Sequence, residues 1–223
     1  MYCMMKWRTW IQFSVSMIKR LFYLLIFSIQ FGFAQYKVSY YQGGKVKSEG
    51  SYSHKDSLKQ GPWRYYYPNG KLNLDATYFN NKNYGEWRYY NTAGGLEKVE
   101  NWVEGVQQGD FAEYYSNGKM SKSGKYKNGV YEGPFTSYYD NGKVKNKGNY
   151  KNGFPDGRWE TYNAAGFLIE EGNYVNGQQE GYFRFYNDKG IIQFEGNFSN
   201  GQKTGEWLQY DENGKQKKKK LSY

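Results

Sequence analysis

The side chains in this 223-residue chain that could do covalent, metal or acid–base chemistry are few, and their spacing limits them further. His54 is the single histidine and Cys3 the single cysteine. A zinc centre needs three or four converging ligands, and a Cys-His nucleophile needs its base within hydrogen-bond reach, so neither can be assembled around His54. His54 lies in the polar stretch SYSHKDS (51–57) and reads as an exposed loop residue. Paired carboxylates are the other route. Glu132, Asp156 and Glu180 recur at a fixed interval, each one residue before a glycine. If the segments between them are paired hairpin strands, equivalent residues stand two strands, or roughly 10 Å, apart. That is too far to share a proton and near the upper limit for an inverting glycosidase pair. They read as a row of solvated turn carboxylates. Glycine clusters such as GGKVKSEG (43–50) lack the spacing of a phosphate-binding loop and precede strand-like segments. No catalytic residue, metal site or cofactor is expected, and the chain reads as a non-enzyme.

What must then be explained is a phrase. GPWRYYYPNGK (61–71) returns in altered form from Gly85, Gly109, Gly133, Gly157, Gly181 and Gly205, a period of 24 without insertion. An earlier half-copy, YYQGGKVKSEGSY (40–52), gives about seven and a half units. A fixed period of this length marks a repeat array. Two residues after each glycine stands Trp63, Trp87, Phe111, Phe135, Trp159, Phe183 or Trp207, where aromatic bulk is wanted. Three further on stands Tyr66, Tyr90, Tyr114, Tyr138, Tyr162, Tyr186 or Tyr210, never phenylalanine, which predicts a recurring hydroxyl partner in neighbouring loop backbone. These two rows are the expected repeat-packing residues.

Asn-Gly pairs such as Asn69-Gly70 and Asn141-Gly142 supply the positive φ of a tight hairpin turn. A returning strand carries Leu72, Leu96, Met120, Val144, Leu168 and Ile192, then Gly124, Gly148, Gly172 and Gly196 in the matching copies, then Tyr78, Trp102, Tyr126, Tyr150, Tyr174 and Phe198. Even spacing places these three rows on one face, with the glycines leaving room for a ring from the paired strand. A second turn, as at Asn128-Gly129, leads into the next copy. The expected fold is all-β: an elongated antiparallel meander of hairpins, one layer thick. A lone hairpin is marginal in water, so stability must come from stacking copies.

The pattern G-x-W-x-x-Y-Y-x-N-G-K-L of residues 61–72, with the closing Y-x-N-G-x-x-x-G of 126–133, resembles the variant class of MORN (membrane occupation and recognition nexus) repeats over about residues 36–215. The resemblance implies a hairpin-repeat fold. MORN arrays act as scaffolds in protein or phospholipid contact, and a bacterial group of this class serves as antitoxin components of toxin–antitoxin pairs.

Of the 31 Lys and Arg, four fall in residues 1–34 and five in KQKKKK (215–220), leaving 22 against 21 acids in the repeat body. That near-neutral body argues against nucleic acid. Residues 17–34, MIKRLFYLLIFSIQFGFA, have the basic start, apolar run and small residues of a signal peptide, with translation starting at Met17. The expected organisation is a leader (1–34), an array (35–215) and a basic tail (216–223), exported to the periplasm, outer envelope or medium. An uncleaved N-terminal anchor is the alternative. Because fixed positions serve packing, binding is sought where copies differ, at Tyr65, Tyr67, Tyr89, Tyr115, Tyr139 and Phe185. A protein partner is expected first and envelope lipid or polysaccharide second, with oligomers through exposed edge strands. A carbohydrate-binding module and an antitoxin are the competing readings.

Overall fold

The structure, a computed structural model, describes residues 34–217 and 221–222. The leader, the Met17 start, Cys3 and residues 218–220 of the lysine run lie outside the described residues. The strands are β1 (Gln35–Tyr40), β2 (Val46–Tyr52), β3 (Lys59–Tyr66), β4 (Leu72–Phe79), β5 (Lys82–Tyr90), β6 (Leu96–Val103), β7 (Val106–Gln107), β8 (Gly109–Tyr114), β9 (Met120–Lys127) and β10 (Val130–Tyr131). They continue as β11 (Gly133–Tyr138), β12 (Val144–Lys151), β13 (Phe154–Pro155), β14 (Gly157–Tyr162), β15 (Leu168–Val175), β16 (Gln178–Tyr186), β17 (Ile192–Ser199), β18 (Gln202–Gln209) and β19 (Leu221–Ser222). All nineteen form one open sheet. The long strands pair antiparallel in sequence order, as β2 with β3, β3 with β4 and β4 with β5, while β7 and β8, β10 and β11, and β13 and β14 each share one partner, β6, β9 and β12 respectively, so the expected meander is the observed fold.

Two irregularities recur and set which side chains share a face. Within each hairpin the register slips: Tyr65 faces Leu74, but Tyr66 faces Leu72, leaving Asn73 as a bulge. The same slip places Ile192 opposite Tyr186. Even spacing alone had put Leu72 and its equivalents on the face of the glycine and aromatic rows. The extra residue turns them to the other face, beside the invariant tyrosines. Between hairpins, Asp75 faces Arg88 while Thr77 faces Tyr84, so β5 bulges around Gly85 and Glu86. The opening glycines sit in these bulges with positive φ, 69° at Gly85 and 86° at Gly157, which explains their invariance.

The core is a row of rings. Trp63, Trp87, Phe111, Phe135, Phe183 and Trp207 are buried on one side of the sheet, here called the ring face. The Tyr78-type residues lie between them, with centroids 5.1 Å apart for Tyr78–Trp87 and 5.1 Å for Phe198–Trp207. A single layer can bury its rings in this way because each is covered by the next. The second glycine row permits it: a Cβ on Gly148 would lie 1.9 Å from Trp159, and one on Gly172 2.3 Å from Phe183. These glycines were expected to make room for a ring, and they do.

Candidate functional site

Polar residues of the turns hold one repeat to another. Tyr67, Tyr115 and Tyr139 donate their hydroxyls to the main-chain carbonyls of Tyr90, Tyr138 and Tyr162, each in the following repeat. Asn141 Nδ2 reaches Ala164 O and Lys143 Nζ reaches Ala165 O, so one turn grips three carbonyls of the next. Where asparagine replaces the tyrosine, as at Asn91 and Asn163, its Oδ1 instead accepts two amides of its own turn. The candidate binding residues thus divide. Tyr67, Tyr115 and Tyr139 lie at the turn edge with engaged hydroxyls, while Tyr65, Tyr89 and Phe185 lie on the ring face over Trp63, Trp87 and Phe183.

Glu132, Asp156 and Glu180 accept the amides of Asn152, Asn176 and Asn200, residues with φ near +50°. Gln60 and Gln108 do the same for Asn80 and Asn128, so these positions use an acceptor oxygen and not a charge. His54 is exposed in the β2–β3 connection. Among the described residues no cluster of His, Cys and carboxylates could hold a metal.

The side opposite the rings, the ion face, carries the invariant tyrosines. For four of the seven the hydroxyl partner is a carboxylate and not the loop backbone expected from sequence. Tyr66 donates to Glu49 at 2.5 Å, Tyr162 to Glu160 at 2.9 Å, Tyr186 to Glu171 at 2.6 Å, and Tyr210 to Glu195. Glu49, Glu171 and Glu195 come from the strand before their tyrosine in the meander, whereas Glu160 lies two residues before Tyr162 on the same strand and face. Arg184 joins Glu171 and Glu195 at 3.3 and 3.1 Å, and Arg158 reaches Glu171 at 2.8 Å. Burial and the bond to Glu171 push Tyr186 up to about 12, and Tyr186 in turn holds Glu171 below the usual carboxylate range.

Glu100 is the exception on the ring face. It stands in the row of Gly124 and Gly148, 2% exposed, opposite Trp87. Burial raises its pKa, but bonds from Lys98 Nζ (2.6 Å), Tyr89 Oη (2.7 Å) and Gln107 Nε2 (2.7 Å) outweigh that and hold it low. No sequence pattern except departure from the glycine row marks it.

Midway along the ring face the cover thins. The place of Tyr65, Tyr89 and Phe185 is taken by Glu113, Ser137 and Thr161. A groove of about 430 Å³ opens there over Phe135, Tyr150 and Trp159. Phe135 and Trp159 are stacked, 6.0 Å apart and 15° from parallel. Polar groups line the groove: Lys122 pairs with Glu113 at 3.0 Å, Asn146 Nδ2 donates to Ser137 Oγ at 3.0 Å, and Lys145 and Tyr115 stand at its margin. Such a site can bind by apolar contact with polar selection, and it holds no group placed to act as a nucleophile's base.

The family model described as MORN repeat variant matches residues 37–54, 59–80, 107–128, 131–152 and 203–222. No curated protein matches the chain. The unmatched stretches 81–106 and 153–202 continue the same hairpins with the same pairing. With its five matched copies set in one uninterrupted hairpin sheet, the chain belongs to the MORN repeat variant family.

Proposed function

We propose that this chain is an exported, non-enzymatic repeat scaffold that holds a protein or envelope partner against its ring face, at the groove between Glu113 and Trp159. A MORN-variant array is a repeat scaffold in its general role, and the finer reading rests on this molecule's departures from its own period. The observation that carries it is the groove lined by Glu113 and Ser137, where the flanking copies Tyr65, Tyr89 and Phe185 set rings over the core. Export is supported by the signal-like residues 17–34. Polysaccharide is the second reading, favoured by the ring faces of Tyr150 and Trp159 beside Ser137, Asn146 and Lys122.

Two measurements test the proposal. A reporter joined after residue 34 is expected to be active outside the cytoplasm, and cytoplasmic retention would favour the antitoxin reading. A photo-crosslinker at Lys145, in the groove, is expected to capture one partner in cells, while one at Lys125 on the ion face captures none. Equal capture at both positions would remove the groove from the proposal.

A further inference from the structure

The two ends of the sheet differ. At the C-terminal end, β18 is covered by the chain itself: Trp207 pairs with Leu221, Tyr210 bridges Gln216, and the Lys217 amide reaches Gln209 O at 2.8 Å. At the N-terminal end, β1 pairs with β2 alone among the described residues, which leaves its outer row of amides and carbonyls without strand partners. A bare edge strand is a template for another strand. Such edges are often blunted by an outward lysine, but Lys37 lies back over its own sheet, 5.1 Å from the Tyr52 ring centre.

The residues of β1 also suit a copy of themselves. Val38 faces Glu49, so Tyr36, Val38 and Tyr40 share the ion face and Lys37 and Ser39 the ring face. Tyr36 and Tyr40 are 59% and 60% exposed, the highest values among the large apolar side chains of the described residues. Reversing the strand about Val38 sets Tyr36 opposite Tyr40 twice and Lys37 opposite Ser39 twice. Rings meet rings, and no like charges are opposed.

We propose that two copies of this chain form a two-fold dimer by antiparallel pairing of β1 with β1, with Val38 on the axis. The contact is isologous and closes at two, and the covered β18 edge disfavours head-to-tail growth. The dimer joins two sheets end to end, independently of what the groove binds.

The test is sedimentation of the protein expressed from its full-length gene, at micromolar concentration. The wild type is expected as a dimer. Ser39→Lys sets a lysine opposite Lys37 at two symmetric places and is expected to weaken the dimer about tenfold. Adding Lys37→Glu turns both contacts into opposite-charge pairs and is expected to restore dimerisation, which also controls for folding. A monomeric wild type, as when residues 1–33 cover the edge, overturns the proposal. So does a dimer indifferent to Ser39→Lys, or a double variant no tighter than the single.

Discussion

The Tyr139 hydroxyl donates to the main-chain carbonyl of Tyr162, 2.8 Å away and one repeat ahead. With Asn141 and Lys143 it fastens one turn to the next, so stability in this array is a nearest-neighbour property. Tyr139→Phe keeps the ring and removes the bond. It is expected to cost about 1 kcal/mol. Amide exchange should accelerate in the 162–167 turn and stay unchanged near Trp63; uniform acceleration along the chain would contradict local coupling.

The glycines fall into two classes with different physics. Gly148 has an ordinary φ and no room, whereas Gly157 has room and a φ of 86°. Alanine at either site is expected to destabilise by about 1–3 kcal/mol, through crowding at Gly148 and strain at Gly157. The causes separate by rescue. Gly157→Asn should recover part of the loss, because asparagine tolerates positive φ. Gly148→Ala should recover only when Trp159 is also shortened, and denaturation showing no coupling between positions 148 and 159 would refute the ring-cover explanation.

The sequence made the hairpins, the period, both glycine rows and the MORN-variant pattern legible, because they rest on turn chemistry and aromatic spacing. It did not reveal the bulge at Asn73 and its equivalents, since one extra residue leaves no compositional mark. That bulge moved Leu72 across the sheet, to the face of Tyr66. The groove opens at positions that vary between copies, but a small polar residue such as Ser137 leaves no mark in the sequence that it stands beside the groove's rings. Glu100 was hidden because a buried carboxylate becomes tolerable only through Lys98, Tyr89 and Gln107, whose convergence is a matter of packing.

The ion face should make stability depend on pH at both extremes. Glu49, Glu171 and Glu195 have lowered pKa values, held down by tyrosine bonds and, for the last two, by Arg184, against the cost of burial. Their contribution is present above the unfolded carboxylate value, near 4.3, and is lost as pH falls through the folded values. Tyr66 and Tyr186 are raised from 10.0 to about 12, chiefly by burial. The unfolded chain therefore releases these protons first, and stability should fall as pH rises from about 10 toward 12. Spectrophotometric titration should show tyrosine ionisation extending to higher pH in the folded protein than in the denatured chain. Coincident folded and denatured curves would contradict the hydroxyl–carboxylate pairs.

Glu100→Ala removes the acceptor shared by Lys98, Tyr89 and Gln107 in a buried site. The expected cost is about 3 kcal/mol. Combining it with Lys98→Met should return part of that loss, because the stranded ammonium is also removed. Additive effects in denaturant melts would show that the pair is not coupled.

The most direct test of the scaffold reading is to close the groove with the residue type that the molecule uses elsewhere. Ser137→Phe places a ring where Phe185 covers Phe183 in a later copy. The groove of about 430 Å³ has space for it. Partner recovery by the Lys145 photo-crosslinker would be compared in cells with and without the change, alongside the melting temperature. The expected result is an unchanged or higher melting temperature with recovery lost. Undiminished recovery from a folded Ser137→Phe protein would contradict binding at this groove.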